Sequence, residues 1–357
     1  MPTSVFLLGA GASKLAGAPL MAEFLGAARN LRRVGLPAEH HAAFDLVFEA
    51  MGKLQAVHSK ATLDFNNVES LFSAFEVAKT LDKLPGYSPD AIDQVIEALK
   101  TVIVVTLERT IPFPYNGMLQ TPDPYQDFVA LLSALQQTAR PSHRLAVLTF
   151  NYDICVDFAL TQEFDIHYGL DGTAGDGASI PLLKLHGSLN WTEQEEGKAI
   201  VPWMLPDYLS NRSVSPVSRP RQLFVPIGSQ LPEFKYKNIP LTGKPVVVAP
   251  TFNKGDSHRT LSKVWKVAAD QLGKAENIFI IGYSFPPTDK FFEYLYGLGT
   301  VGPTLLERVW LFNPDSTGQV RQRFAQLIGA GATHAFRHVQ GTFSDAIKVL
   351  TQEFIPS

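Results

Sequence analysis

Short apolar runs that stop abruptly on glycine or on a polar cluster recur along the whole of this sequence. Ser4 to Leu8 runs into Gly9-Ala10-Gly11-Ala12-Ser13, Leu145 to Thr149 into Phe150-Asn151-Tyr152-Asp153, and Leu182 to His186 is broken at once by Gly187. Asn277 to Ile281 leads into Gly282-Tyr283-Ser284, and Arg308 to Phe312 into Asn313-Pro314-Asp315. Unbroken apolar runs bounded by turn residues are the pattern of strands buried on both faces. Between them lie stretches of helical composition: Met21 to Arg33, Ile154 to Thr161, Thr260 to Leu272, a helix through Tyr296 that Thr288 is expected to cap, Gln319 to Leu327 and Phe343 to Phe354. The alternation predicts an α/β fold on a doubly wound, Rossmann-like parallel sheet. Parallel strands point one way, so their polar ends share one edge, where such sheets bind ligands.

Two stretches interrupt the alternation. Gly35 to Gln137 is helix-like, with segments such as Val68 to Lys79 and Ala91 to Glu108 and no strand alternation, which predicts a helical insertion over residues 35–140. Glu193 to Pro245 is dense in Pro, Ser, aromatics and charge without periodicity, and an irregular lid or binding insertion is expected over 193–245. The core is then residues 1–34 with 141–357, including a further buried strand at Pro245 to Ala249 and a strand near Phe164 to Tyr168. A chain of 357 residues is long enough for such an organisation.

Composition removes several classes of function. A net charge of -3 without any Lys/Arg run argues against direct nucleic-acid binding. The single cysteine, Cys155, excludes an internal disulfide framework and a multi-cysteine zinc module, and points to a reducing cytoplasm. No uninterrupted run approaches the roughly 18 apolar residues of a membrane span, so no membrane partner is expected. The apolar start from Val5 to Leu20 lacks a positively charged leader and is broken by Gly9 and Gly11, which reads as strand and turn rather than signal peptide.

The strand-end residues admit more than one role. Glycines at 9 and 11 let a backbone approach a phosphate, or simply permit tight packing. Asn151 and Asp153 can hydrogen-bond a ribose or cap the helix that follows. Asp64, Asn67 and Glu69 suit capping and solvation of the next helix better than a metal site, Cys155 reads as a small core residue, and Ser188, Asn190 and Trp191 as supports of the strand end.

Taken together, Gly9-Ala-Gly-Ala-Ser13, Thr149-Phe-Asn-Tyr-Asp153, Lys184-Leu-His-Gly-Ser188, Gly282-Tyr-Ser-Phe285 and Val309-Trp-Leu-Phe-Asn-Pro-Asp315 resemble, in order, the motifs of the sirtuin superfamily, in its bacterial sirtuin-like branch of NAD-consuming effectors. The resemblance implies an NAD site: Gly9, Ala10, Gly11 and Ser13 cradling the pyrophosphate, with Thr149 in the same nucleotide motif. Gly282, Tyr283 and Ser284 would complete the dinucleotide site, and Asn313 would face the adenosine ribose. Asn151 and Asp153 would hold the nicotinamide ribose and the water, and His186 would act as base. The sequence departs from the deacylases of the superfamily in having no cysteine after Cys155, hence no zinc ribbon and no metal, in Leu15-Ala-Gly-Ala-Pro19 after the first turn, and in Val246-Val-Val-Ala-Pro-Thr251 where an acyl-lysine clamp is usual. The implied activity is hydrolysis of NAD to nicotinamide and ADP-ribose, in an antiphage, abortive-infection role; an unregulated enzyme of that kind would poison its own cell, so control by homo-oligomerisation, an activating ligand or a partner protein is expected. Transfer of ADP-ribose, NAD-dependent deacylation, and a non-catalytic NAD or ADP-ribose sensor are the alternatives.

Overall fold

The computed structural model describes residues 3–56, 64–115, 119–138, 144–193, 199–211, 224–226, 243–248, 257–286 and 289–355. Strand β1 (Thr3–Leu8) is followed by a single 3-10 turn (Ala10–Ala12) and four helices, α1 (Met21–Val34), α2 (Ala38–Ala56), α3 (Val68–Thr80) and α4 (Pro89–Thr110). A short β2 (Pro112–Pro114) leads to α5 (Tyr125–Thr138), β3 (Arg144–Thr149), α6 (Cys155–Leu160), β4 (Ile166–His167), β5 (Ile180–Lys184) and β6 (Gly187–Glu193). Then come β7 (Ile200–Pro202), α7 (Leu205–Asn211), β8 (Phe224–Pro226), β9 (Pro245–Val247), α8 (Ser257–Gly273) and β10 (Asn277–Ile281). The chain closes through α9 (Lys290–Gly299), β11 (Arg308–Phe312), α10 (Gln319–Leu327), β12 (Phe336–Val339) and α11 (Phe343–Phe354).

The main sheet has seven strands in the order β12-β11-β10-β1-β3-β5-β4, all parallel, as the alternation predicted. The apolar runs serve both faces by simple alternation. Phe6 and Leu8 enter one core with Val147, Phe279, Ile281 and Phe312, while Val5 and Leu7 enter the other with Leu148, Ile278, Ile280 and Leu311. Phe128 of α5 meets Phe6 at 5.3 Å on the first face, and α8, α9 and α10 contribute Val264, Phe292 and Phe324 to the second. From β1 the chain winds outward to β3, then returns to β10 on the opposite flank. The switch point, where a doubly wound sheet opens a crevice, lies between β1 and β10.

Several expectations need correction. The strand expected at Pro245 to Ala249 is not part of the parallel sheet: β9 pairs antiparallel with β6, which also pairs with β7 in a separate three-stranded sheet, and Ala249 lies outside the described residues. The cause is Gly187, whose φ of +91° turns the chain back after β5; only a residue without Cβ sits comfortably there, since a Cβ would fall 2.1 Å from the Val246 carbonyl oxygen. β2 pairs with β8, so the helix-rich stretch does contain a short strand. The half-buried edge strand β12 escaped the apolar pattern because Arg337 and His338 interrupt it. In 193–245, β7, α7 and β8 are ordered elements, while 194–198, 212–223 and 227–242 lie outside the described residues, as do 139–143 around the expected boundary at 140. Thr288 also lies outside them; the side chain capping α9 is Asp289, which accepts from the Phe292 N–H.

Candidate active site at the carboxyl edge of the sheet

The central strands end level. Leu8 is in register with Thr149 on one side and Ile281 on the other, Thr149 with Lys184, and Ile281 with Phe312. The segments leaving these strands therefore converge, around a cavity of about 380 Å³. Its wall includes Ala10, Gly11 and Ser13 from the first turn, Asn151 and Asp153 after β3, and His186 after β5. Gly282, Tyr283 and Ser284 after β10 and Asn313 after β11 complete the expected set. Gly9 and Thr149 stand behind that wall: the Gly9 carbonyl accepts from Asn151 Nδ2, and the Thr149 hydroxyl donates to the Leu8 carbonyl and accepts from the Asn151 N–H.

The sequence left the glycines of the first turn between phosphate binding and packing. In the fold they bring two backbones together. The Gly9 N–H donates to the Ile281 carbonyl at 3.0 Å and the Gly11 N–H to the Gly282 carbonyl at 2.9 Å. A Cβ on Gly9 would lie 2.5 Å from the Tyr283 Cα. Gly282 itself sits at φ +64°, with the Ala12 nitrogen 2.4 Å from where its Cβ would be. The N–H groups of Ala12 and Ser13 close the 3-10 turn onto the Gly9 and Ala10 carbonyls. With those donors engaged and α1 starting only at Met21, no helix N-terminus follows the turn directly.

Asn151, Ser13 and Asp153 form one buried network. Asn151 Nδ2 donates to the Gly9 carbonyl and to Ser13 Oγ, both at 3.0 Å, and Ser13 Oγ donates to Asp153 Oδ2 at 2.8 Å. A hydroxyl has one proton. Since Ser13 gives its proton to Asp153, Tyr125, 2.7 Å away, is the donor in the Tyr125–Ser13 contact. Burial, and then the Asp153 charge, push the Tyr125 phenol well above its ordinary range, which keeps it a donor. Asp153 Oδ1 also accepts from the Cys155 N–H at the start of α6, so the capping role and a place in the cavity wall fall on one carboxylate. Cys155 is fully buried, and burial raises its thiol well above the usual range, as befits a core residue.

His186 lies in the turn between β5 and β6; β5 ends at Lys184, two residues before the histidine that was expected to end it. The turn is held on both sides. The Leu185 N–H donates to the Thr149 carbonyl, Trp265 Nε1 to the Leu185 carbonyl, and the Val248 N–H to the His186 carbonyl. The imidazole is buried, edge-on to Phe150 at 5.0 Å, with Tyr152 at 6.2 Å. Phe150 stacks on Tyr283 at 4.4 Å, and the Tyr152 hydroxyl donates to the Val248 carbonyl. Beneath the turn, Lys184 and Asp157 form an ion pair at 2.7 Å, and Lys184 Nζ also donates to the Asp153 carbonyl. Tyr168 hydroxyl donates to Asp157, and Asn190 links Tyr168 to Ser188, consistent with supports of the strand end.

Sequence reasoning missed several wall residues. Asp289, fully buried at the start of α9, places Oδ2 4.0 Å from His186 Nε2 and accepts there from the Tyr283 hydroxyl at 2.5 Å. A polar residue just before a helix was its only signal. Asn67 caps α3 as expected, and Asp64 accepts from the Asn66 N–H, but Asn67 and Glu69 also reach the cavity. Phe24, Phe72, Ile103 and Leu107, from α1, α3 and α4, give the cavity an apolar flank. Among the described lining residues there are three carboxylates, Glu69, Asp153 and Asp289, and no Lys or Arg. Among the described residues no group of three or more His, Cys, Asp or Glu is placed to hold a metal, and no helix is long and apolar enough to cross a membrane.

No protein-family model matches the sequence, and no curated protein does. Among solved structures, the chain is similar to a mutant Sir2 homologue in complex with ADP-ribose, at 12% identity over 99% of this chain and 91% of that one, with a TM-score of 0.40. It is similar to Sir2Tm bound to a propionylated peptide at 12% identity, over 98% of this chain and 92% of that one, with a TM-score of 0.40. A third likeness is to Sir2 in complex with an inhibitor, 2'-O-acetyl-ADP-ribose and a deacetylated peptide, at 12% identity over 98% and 93%, with a TM-score of 0.38. The residues around the cavity, rather than these likenesses, support a function for the chain.

Proposed function

We propose that the protein is an NAD+ hydrolase that cleaves the bond between nicotinamide and ribose. The observation that carries this reading is the convergence of Asn151, Asp153, His186, Ser284 and Asn313, from four separate strand ends, on one cavity beside the β1–β10 switch point. In the proposed complex the dinucleotide crosses the sheet edge, the adenosine ribose near Asn313 and the pyrophosphate beside the exposed Ser284, with the Gly9 to Ser13 turn, whose Gly9, Gly11, Ala12 and Ser13 N–H groups are already engaged, shaping the edge rather than donating to the phosphates. The nicotinamide ribose lies by Asn151, Asp153 and His186.

Breaking the glycosidic bond sends its electron pair to the nicotinamide nitrogen and leaves positive charge on the ribose. A cavity wall with three carboxylates and no cation among its described residues suits both the charged ring and that transition state. Water then adds to the anomeric carbon and gives its proton to His186, general-base assistance contributing on the order of 10² to 10⁴-fold. The products are nicotinamide, ADP-ribose and a proton. No zinc is required by this sequence of bonds.

The proposed organisation is a nucleotide-binding core of residues 1–34 and 141–357 with a helical insertion at 35–140 and a binding insertion at 193–245. α5 packs on the sheet through Phe128, which favours assigning it to the core. The motif resemblance implies the antiphage role and the single cysteine favours the cytoplasm; gating by self-association, an activating ligand or a partner follows because an unregulated enzyme of this kind would poison its own cell, and the unmatched 35–140 and 193–245 segments offer surface for it, which is tested by measuring whether a monomer turns over at full rate without a trigger.

The test of the activity is NAD+ turnover followed by mass spectrometry for the parent, Asn151→Ala and His186→Ala, with folding checked by circular dichroism. Loss of nicotinamide release in both variants is expected, and parental turnover in both would refute the site. Labelled NAD+ left on a protein acceptor would favour transfer instead, and binding without turnover a sensor.

A further inference from the structure

Asp289 has no part in the proposed reaction and Tyr283, expected only as a wall of the dinucleotide site, has no chemical step assigned to it, yet together they close the His186 side of the cavity. Asp289 Oδ2 is 4.0 Å from His186 Nε2. That is too long for a hydrogen bond and close enough for a strong charge interaction when both groups are buried, as these are. The carboxylate cannot easily drift. Its Oδ1 caps α9 by accepting from the Phe292 N–H, and Oδ2 accepts from the Tyr283 hydroxyl. Tyr283 is in turn clamped between Phe150 at 4.4 Å and Phe292 at 5.2 Å. These buried contacts join different elements, so the carboxylate is aimed at the imidazole by the tertiary fold.

We propose that Asp289 is a positioning residue for His186, acting through its charge to favour the protonated imidazole that forms as water is deprotonated, with the Tyr283 hydroxyl drawing on the same oxygen and so moderating that effect. The proposal rests on His186 being the base of the proposed hydrolysis. The other charged or titratable groups facing this corner are Asp153 and Tyr152 after β3, Glu69 on α3, and Arg323 on α10, whose charge reaches Tyr283. Burial, and then the Asp289 charge, keep the Tyr283 phenol well above its ordinary range, so it remains a donor to the carboxylate.

The experiment tracks the imidazole itself. The full chain carrying ¹³C-labelled histidine is titrated by NMR, with His186→Gln assigning the signal, in the parent, Asp289→Asn and Tyr283→Phe. Asparagine retains a capping oxygen for α9 while removing the charge. The titration midpoint of His186 is expected to fall by on the order of one unit in Asp289→Asn, the size of a single nearby charge. In Tyr283→Phe, which releases an oxygen of Asp289 toward the ring, it is expected to move the other way. A midpoint unchanged in folded Asp289→Asn overturns the proposal; if that variant does not fold, an unchanged midpoint in Tyr283→Phe does so. The acidic limb of kcat for NAD+ hydrolysis should shift in the same direction as the midpoint in each variant. The ring titration decides the Asp289–His186 coupling whether or not the parent turns over NAD+, so failure of the coupling and failure of the hydrolase reading are distinguishable.

Discussion

Lys184 and Asp157 are both wholly inaccessible to solvent, and their 2.7 Å ion pair lies directly under the loop that carries Asn151 and Asp153. Replacing Lys184 by Met leaves the Asp157 carboxylate with the Tyr168 hydroxyl and removes the donor to the Asp153 carbonyl. Replacing Asp157 by Leu leaves a buried ammonium with that carbonyl as its remaining partner in this network. Without water to screen either orphan, each single change should cost about 3 to 5 kcal/mol, a large fraction of the roughly 5 to 15 kcal/mol that holds a domain together. The double variant removes both charges and leaves two neutral groups short of partners, about 1 to 3 kcal/mol each. Tyr168 still accepts from Asn190 Nδ2, which moderates its share. The double variant should therefore cost about as much as one single change, not the sum of two. Urea unfolding of the parent, both singles and the double closes this cycle. Singles that unfold within about 1 kcal/mol of the parent, or a double equal to the sum, would refute the idea that mutual neutralisation holds the loop.

Other consequences are open to direct measurement. Gly187→Ala should abolish soluble folded protein, because a side chain at φ +91° would also meet the Val246 oxygen 2.1 Å away; recovery of a parental melting curve would contradict the turn geometry. Asn151→Ala removes two buried hydrogen bonds to the first turn and should destabilise by about 1 to 3 kcal/mol in addition to any loss of activity, as read by denaturant midpoint. Cys155 should resist thiol reagents in the native state and react once urea unfolds the chain; rapid native labelling would show that the thiol is neither buried nor raised. Asp315 is held from its ordinary 3.8 down to about 2, first by the Thr317 hydroxyl and then by the Val320 and Thr317 N–H groups. Its folded value is below its unfolded one, so its stabilising contribution is present above about pH 4 and is lost as pH falls toward 2. Asp315→Asn should flatten that limb of the stability curve, and an unchanged limb would remove Asp315 as its source.

The parallel sheet was legible because its central strands are buried on both faces: runs such as Ser4 to Leu8 and Asn277 to Ile281 need no partner to be recognised, and their polar ends had to share an edge once the strands were parallel. Asn151, Asp153, His186 and Asn313 were found by that reasoning. β12 and the pairing of β9 with β6 were not, since a half-polar edge strand and a reversal at one glycine leave little local pattern. Tyr125 donates to Ser13 across 112 residues of sequence, and Asp289 faces His186 only because α9 docks against α8 over the second face of the sheet. The sequence alone thus determined where the central strands lie and which polar segments follow them, to within a residue or two, because hydrophobic periodicity is local. Which backbone a glycine lets in, and which carboxylate meets the histidine, depend on contacts between distant segments, and the tertiary structure decided them.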